Sequence, residues 1–311
     1  MGVFVFLPLV LPLTAWPMAR LAEQRLHPRT ATRLLTAMAG VLALCSTVCL
    51  GLVMVVGTAQ LPGNPLPDGW SDPEVREAVP CDRFAGKAAI PALVAVTVTC
   101  ARTLWRRGSL RRRAHRALAG LPGRSEVAVL ADDTPYAYAL PGGERHRIVV
   151  TTGLLAGLAP AERRALFAHE RAHLTANHHR FLLAVRLAAD ANPFLRPLRT
   201  AVAYTVERWA DEEAARIVGD RRTVARAIGK AALVSRGNPW PTLAGFAVPG
   251  PVPRRVAALL EPAPATRDWP SLFTAGGLAA WTAAFGTAVS AMSSANSAVT
   301  MVLILRAATP L

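Results

Sequence analysis

Long runs without a charged residue lie near both ends of this 311-residue chain, and they restrict its possible folds more than any other feature. Charged side chains concentrate between about residues 105 and 268. The apolar fraction of 52% and the mean hydropathy of +0.30 are both high for a soluble protein. Because about 20 apolar residues let a helix cross a bilayer, this layout predicts a membrane protein that carries one polar domain.

Four of the uncharged runs are candidate membrane spans. The first, residues 3–18, contains three prolines and lacks the positive segment that opens a signal peptide, so we expect a short, kinked span. Residues 34–59 and 88–104 provide a second and a third span. The uncharged stretch 271–305 is long for one span and short for two, so we expect one span near residues 272–292 and leave the remainder open.

The charges of the loops between these runs predict the orientation of the chain. Residues 20–33 contain four arginines against one glutamate, and residues 102–116 contain seven arginines and no acidic residue. Residues 60–86 contain five acidic residues against two arginines. Positively charged loops stay on the cytoplasmic side. We therefore expect a multi-pass plasma-membrane protein whose amino terminus lies outside and whose polar domain faces the cytoplasm.

The net charge of +15, from 35 lysines and arginines against 20 acidic residues, does not require a nucleic-acid partner. Most of the excess lies beside the apolar runs, where arginines hold the end of a span on the cytoplasmic side. The sequence has no basic stripe interleaved with aromatic residues and no recognisable nucleic-acid motif. We expect membrane lipid as a partner and no direct binding of nucleic acid.

Short strands followed by helices are predicted within the polar domain. Three apolar or β-branched segments separated by turn residues predict strands over residues 126–131, 136–140 and 147–151. Beyond Gly153 the pattern becomes helical, and the predicted helices cover residues 161–180, 198–218, 222–234 and 254–260. A linker rich in proline and glycine is predicted over residues 238–253.

His169, Glu170 and His173 form an H-E-x-x-H motif in the predicted helix 161–180. At about 100° per residue, the two histidines lie about 40° apart on one face, so both imidazoles can reach one metal ion. Glu170 lies near that face without being a natural ligand, which leaves it free to take a proton from water. Because the motif also occurs by chance in alanine- and arginine-rich helices, a third ligand is needed to support it.

His179 is one candidate for the third ligand, since it follows His173 by six residues. The known motif with that spacing needs a glycine to break the helix, but Ala176 holds the position. If the helix continues, His179 faces away from His173. We therefore reject it as a ligand and expect His178 and His179 to form a polar, solvent-facing helix end.

Glu207, which lies 34 residues after His173, is the favoured third ligand. Two histidines and one glutamate form a catalytic zinc set that leaves a fourth position open for water. Asp211 shares the helical face of Glu207 and could accept a hydrogen bond from the far nitrogen of a ligand histidine. The alternative is that both acids are surface charges paired with Arg208 or Arg216.

Residues 148–155 and 168–173, followed by Glu207 and Asp211, resemble a gluzincin. More narrowly, they are similar to the HtpX/Ste24-type membrane peptidases and to the metallopeptidase part of the BlaR/MecR β-lactam sensors. The resemblance covers roughly residues 120–260, and the span layout matches the membrane portion of BlaR/MecR. Those sensors carry an extracellular penicillin-binding domain after the last span, whereas this chain ends at Leu311. Direct acylation by a β-lactam is therefore not expected.

The resemblance implies a mainly α integral membrane protein with a cytoplasmic α+β, gluzincin-like zinc peptidase domain between spans 3 and 4. The expected parts are a membrane region (residues 1–105), a zinc metallopeptidase domain (106–268) and a final span with a short tail (269–311). The sequence does not predict the oligomeric state.

The implied activity is zinc-dependent hydrolysis of peptide bonds in a cytoplasmic protein. One Zn²⁺ per chain would be held by His169, His173 and Glu207, with Glu170 as catalytic base and Asp211 supporting a ligand. The favoured substrate, by resemblance, is a repressor of the BlaI type. The alternatives are an HtpX-like protease for membrane-protein quality control and a non-catalytic signal transducer with a structural metal.

A substrate-binding strand is also implied, because residues 136–140 resemble the edge strand that pairs with an extended peptide in this family. Its residues are Tyr136, Ala137, Tyr138, Ala139 and Leu140. A side chain that stabilises the oxyanion is expected as well. Tyr204 and Arg208 are near Glu207 in sequence, and nothing selects between them.

Overall fold

A computed structural model of the chain describes residues 2–118, 125–142, 146–235, 251–264 and 273–309. Their α-helices are α1 (Leu7–Val10), α2 (Ala15–Arg25), α3 (Pro28–Ala59), α4 (Pro73–Glu77), α5 (Asp82–Leu118), α6 (Thr152–Ala156), α7 (Pro160–Thr175), α8 (His178–Ala191), α9 (Arg196–Val218), α10 (Arg221–Val234), α11 (Val252–Leu260) and α12 (Ala275–Ala307). Their strands are β1 (Val127–Leu130), β2 (Ala137–Leu140) and β3 (Arg147–Thr151). The predicted combination of a mainly helical chain and a small sheet is confirmed.

Four helical segments in the described residues are long and apolar enough to cross a membrane: Phe4–Arg25, Pro28–Ala59, Asp82–Leu118 and Ala280–Ala307. The last belongs to α12, which runs unbroken well beyond the predicted end of the fourth span at residue 292. The start of that predicted span, the boundary between residues 268 and 269, and most of the predicted linker 238–253 lie outside the described residues.

The first apolar segment is helical but irregular. Short 3-10 turns, Gly2–Phe6 and Leu11–Thr14, alternate with α1 and α2. Pro8 and Pro12 stand near the starts of successive pieces, where the missing N–H of proline leaves no hydrogen bond unmade. The predicted kinks are therefore changes between 3-10 and α-helical geometry.

α3 is the central helix of the molecule and contacts α5, α8, α9 and α12. A Cβ on Gly57 of α3 would lie 2.2 Å from the carbonyl carbon of Gly86 in α5, so only glycine permits this close crossing. Further along, Leu35 of α3, Val185 of α8 and Val202 of α9 are buried in one apolar cluster. The helices of the predicted polar domain thus pack directly against an apolar helix.

The sheet has the order β1-β3-β2, with β1 parallel and β2 antiparallel to β3. Ile148 of β3 pairs with Val127 on one side and with Ala139 on the other, and it is fully buried. β-Branched residues such as Ile148 pack well on the pleated surface of a sheet. β2 consequently lies at an edge of the sheet, beside α7.

The helix predicted over residues 161–180 is in fact two helices. α7 begins at Pro160, as its first-turn preference suggests, and ends at Thr175. Asn177 has a φ of 54°, in the left-handed region, and α8 begins at His178. Asparagine is one of the few residues besides glycine that adopt this conformation readily. The prediction of a continuous helix was wrong, because Asn177 adopts the left-handed conformation and breaks the helix without a glycine at position 176.

Candidate metal centre

The side chains of His169, His173 and Glu207 converge between α7 and α9. Their ligand atoms all lie within 4.8 Å of one another. The two Nε2 atoms are 3.1 Å apart, and the Glu207 carboxylate oxygens lie 3.5 Å from each of them. The structure thus brings the three predicted ligands together in one cluster.

Small side chains allow α7 and α9 to approach each other closely. Ala165 and Ala168 of α7 are buried in one cluster with Ala214 and Ala215 of α9. The distance between packed helices depends on the size of the residues at the contact. A carboxylate on α9 can therefore reach imidazoles that project from α7.

The far nitrogen of each histidine also lies close to a polar side chain. His169 Nδ1 lies 3.0 Å from Oδ1 of Asp211, which is fully buried. His173 Nδ1 lies 3.0 Å from Nδ1 of His178. Such contacts fix the tautomer and the orientation of a ligand imidazole. Asp211 stands where the sequence predicted a supporting group, whereas the contact with His178 was not predicted.

His178 is fully buried, so the prediction that it is part of a solvent-facing helix end was wrong. The helix break at Asn177 turns its ring inward, against Trp209 of α9 at 4.7 Å between ring centroids. His179 is half-buried, and its backbone carbonyl accepts a hydrogen bond from Arg107. An asparagine directly before His178 was the sequence signal for this break.

Arg255 of α11 completes the cluster and was missed by the sequence interpretation. Its guanidinium makes a two-pronged contact with Asp211, Nε–Oδ2 at 2.8 Å and Nη2–Oδ1 at 2.6 Å. Its Nη1 lies 2.9 Å from Oε2 of Glu207, and the residue is only 6% exposed. Because Arg255 follows Glu207 by 48 residues, no local spacing connects the two.

The buried charges set the ionisation of the cluster. Burial alone would raise the pKa values of Glu207 and Asp211, but Arg255 and the neighbouring histidines together outweigh it and hold both pKa values below their usual range. Burial opposes protonation of His169, yet contacts with Asp211 and Glu207 raise its pKa to about 10. For His173, burial dominates and lowers the pKa to about 4.

Glu170 lies between this cluster and the edge of the sheet. Burial raises the pKa of its carboxyl to about 7, and the nearby charge of Glu207 acts in the same direction. The backbone of Ala139 in β2 lies close enough to the carboxyl to act in the opposite direction and lower this pKa. A group with a pKa near 7 is well placed to accept and return protons at neutral pH.

The predicted substrate strand has two different faces. Tyr138 and Leu140 are buried, whereas Ala137 and Ala139 are half-buried. Tyr136 lies one residue before β2, but its backbone carbonyl still accepts a hydrogen bond from Thr151 in β3. Pairing of this segment with a peptide stays a prediction.

The two oxyanion candidates are held by other partners. Arg208 contacts Glu212 at 3.0 Å, and the guanidinium of Arg254 lies 4.3 Å above the ring of Tyr204. Arg255, by contrast, contacts Glu207 directly.

The donor set fits a zinc ion. Two imidazole nitrogens and one carboxylate oxygen form a set that zinc accepts, with a fourth position left for water or substrate. Asp211, together with Glu207, favours a proton on His169. Metal binding replaces such protons, since a ligand imidazole must be neutral.

Residues 101–191 match the sequence model of peptidase family M48. No match was found among the curated proteins or among the solved structures. The matched segment contains His169, Glu170 and His173 and ends before Glu207 and Arg255. The match supports a metallopeptidase of the M48 family, and the cluster that joins α7 to α9 is a possible metal-binding triad for it.

Proposed function

We propose that this protein is a zinc-dependent membrane metalloendopeptidase. The observation that carries the proposal is the convergence of His169, His173 and Glu207 beside Glu170, on a segment that matches family M48. Four apolar helices in the described residues support a place in the membrane. By the positive-inside rule, the site faces the cytoplasm.

Each residue of the site has a definable role in peptide hydrolysis. His169, His173 and Glu207 would hold the Zn²⁺, which would supply a Lewis acid for the substrate carbonyl and for the attacking water. Glu170 accepts the proton of the attacking water and passes it to the leaving amine. Ala139 lies in an edge strand beside Glu170, and a peptide added to that edge would place its backbone next to the base.

Exchange of Glu170 for Gln tests the activity. The purified Glu170→Gln protein should retain one zinc per chain and lose at least about a hundredfold in cleavage of an unfolded protein substrate. Glu213→Gln is the matched control, because Glu213 pairs with Arg216 on the surface of α9. Full activity of the Glu170→Gln protein would contradict the proposed mechanism.

We further propose that the peptidase acts in regulated signalling, with a repressor of the BlaI type as substrate. Contacts between the site and an apolar helix support this role. Thr32 of α3 donates a buried hydrogen bond to Thr205 of α9 at 2.9 Å. Arg29 and Arg33 of α3 lie 5.7 and 5.6 Å from the ring of Trp209, which packs on His178. A shift of α3 would thus reach the helix that carries Glu207.

Proteomic comparison of cells carrying the wild type or the Glu170→Gln protein tests the role. Signalling proteolysis predicts that a DNA-binding repressor accumulates in the variant cells. Accumulation of misassembled membrane proteins instead would contradict signalling and indicate quality control. A cellular output that survives the exchange in full would indicate a non-catalytic transducer.

A further inference from the structure

α8 lies antiparallel against the second half of α5. Thr103 of α5 donates a hydrogen bond to the Asp190 carboxylate near the end of α8. Arg107 of α5 donates to the backbone carbonyl of His179 near the start of α8, at 3.2 Å. The uncharged part of α5 stops at Arg102. The carboxyl end of α8 therefore lies at the level where the candidate span meets its polar boundary.

Four arginines gather at this level, and we call them the arginine cluster: Arg107 of α5, Arg186 of α8, and Arg196 and Arg199 of α9. Arg186 and Arg199 both lie close enough to Arg107 to repel it electrostatically. Arg199 is likewise repelled by Arg186 and Arg196. Asp190 contacts Arg186 at 3.1 Å and offsets one of the four charges. The cluster thus keeps an excess of positive charge.

Exposed apolar side chains flank the arginine cluster. Phe194, between α8 and α9, is 51% exposed, and Leu104, one turn before Arg107 on α5, is 50% exposed. Trp105, which is 67% exposed, lies at the same level on the opposite face of α5. Aromatic residues next to an apolar helix surface are typical of the lipid headgroup level. A nucleic acid or an acidic soluble protein would leave these apolar groups in water.

We propose that the arginine cluster binds the phosphate group of an anionic phospholipid, whose acyl chains lie against the exposed side of α5 that carries Leu104. Basic pockets between membrane helices bind lipid headgroups in this way. Arg196 and Arg199 are exposed and free to turn toward the phosphate, while Arg186 stays anchored by Asp190. The inference does not depend on peptidase activity.

Native mass spectrometry of the purified full chain tests the proposal. The wild-type protein, mixed with equal amounts of phosphatidylglycerol and phosphatidylcholine, should retain phosphatidylglycerol preferentially. The Arg196→Gln/Arg199→Gln protein should bind phosphatidylglycerol about tenfold more weakly, since two phosphate contacts are lost. Arg164→Gln/Arg222→Gln is the matched control, because it removes the same charge from exposed positions on α7 and α10.

Three outcomes would overturn the proposal. The first is equal retention of the two lipids by the wild type. The second is equal loss of phosphatidylglycerol in the two double variants, which would indicate an effect of net charge only. The third is full displacement of the lipid by millimolar inorganic phosphate, which would indicate a site for free phosphate. Thermal unfolding of each variant checks that it remains folded.

Discussion

The two histidines of the cluster have different partners on their far nitrogens. His169 faces the Asp211 carboxylate, and His173 faces the neutral ring of His178. If the Nε2 of His173 binds the metal, the neutral ring carries its proton on Nδ1 and donates it to His178. A carboxylate next to the far nitrogen raises the basicity of a ligand imidazole more than a neutral ring does. His169 is therefore expected to be the stronger ligand.

Replacement of His178 by Phe removes the acceptor for His173 but keeps a ring against Trp209. We expect the zinc affinity of His178→Phe to fall about tenfold, because His173 loses its fixed tautomer. Competition with a chromogenic chelator measures this change. His179→Phe is the control one residue further along the chain. A similar loss of affinity in both variants would contradict the assigned contact.

Loss of Arg255 leaves Glu207 and Asp211 as buried carboxylates without their common cation. Removal of one partner from a buried ion pair typically costs about 3–5 kcal/mol. We expect Arg255→Met to lower the unfolding temperature strongly without metal, and zinc to restore part of the loss because it supplies positive charge. Differential scanning calorimetry with and without zinc measures both effects.

Arg254→Met provides the comparison for Arg255, since Arg254 is half-exposed and pairs with Glu23. An exposed pair contributes about 1 kcal/mol or less. If the two variants lose the same stability, the charge balance assigned to Arg255 is wrong.

At the scale of elements, the break between α7 and α8 decides which side chains reach the cluster. Asn177 in the left-handed conformation ends one helix and redirects the next. The position of His178 beside His173 follows from that single backbone conformation.

Substitutions at Asn177 test the role of the break. We expect Asn177→Gly to keep the stability, whereas Asn177→Ala loses about 1–2 kcal/mol, because a Cβ without a local hydrogen-bonding group disfavours the left-handed region. Chemical unfolding followed by circular dichroism measures the difference. If Ala is tolerated as well as Gly, the left-handed conformation does not limit stability.

The whole molecule joins the candidate site to the apolar helices by packing. α5 continues through the predicted boundary between residues 105 and 106. α2 reaches α11 through the ion pair of Glu23 with Arg254, at 3.1 Å. The candidate metal centre therefore lies within a structure that shares its core with the candidate spans.

Metal removal tests this connection. Three ligands on two helices cross-link α7 and α9, so chelation should lower the unfolding temperature of the whole protein. Zinc at about 100 times its Kd stabilises the folded state by about 2.7 kcal/mol. Added Zn²⁺ should reverse the effect of the chelator, and Mg²⁺, which prefers oxygen ligands, should not. A His173→Ala protein that responds equally to chelator would contradict the assignment.

Local sequence patterns were sufficient to predict the long apolar helices and part of the candidate site. The uncharged runs predicted the long apolar helices, because the length of a span is fixed by the thickness of a bilayer. The spacing of His169 and His173 predicted a shared helical face, because 3.6 residues form one turn. The same rule placed Glu207 and Asp211 on one face of their helix. These patterns join residues close together in the sequence, whereas Glu207 was assigned to the histidines, 34 residues away, from the donor set that catalytic zinc accepts.

Only the tertiary structure decided the rest of the site. The order of the strands, the contact of Ala139 with Glu170 and the ion pairs of Arg255 join residues far apart in the chain. Such contacts depend on how closely alanine-lined helices pack, and no spacing rule encodes that distance. The sequence by itself therefore determined the candidate metal-binding face of one helix, and helix packing decided which charges surround it.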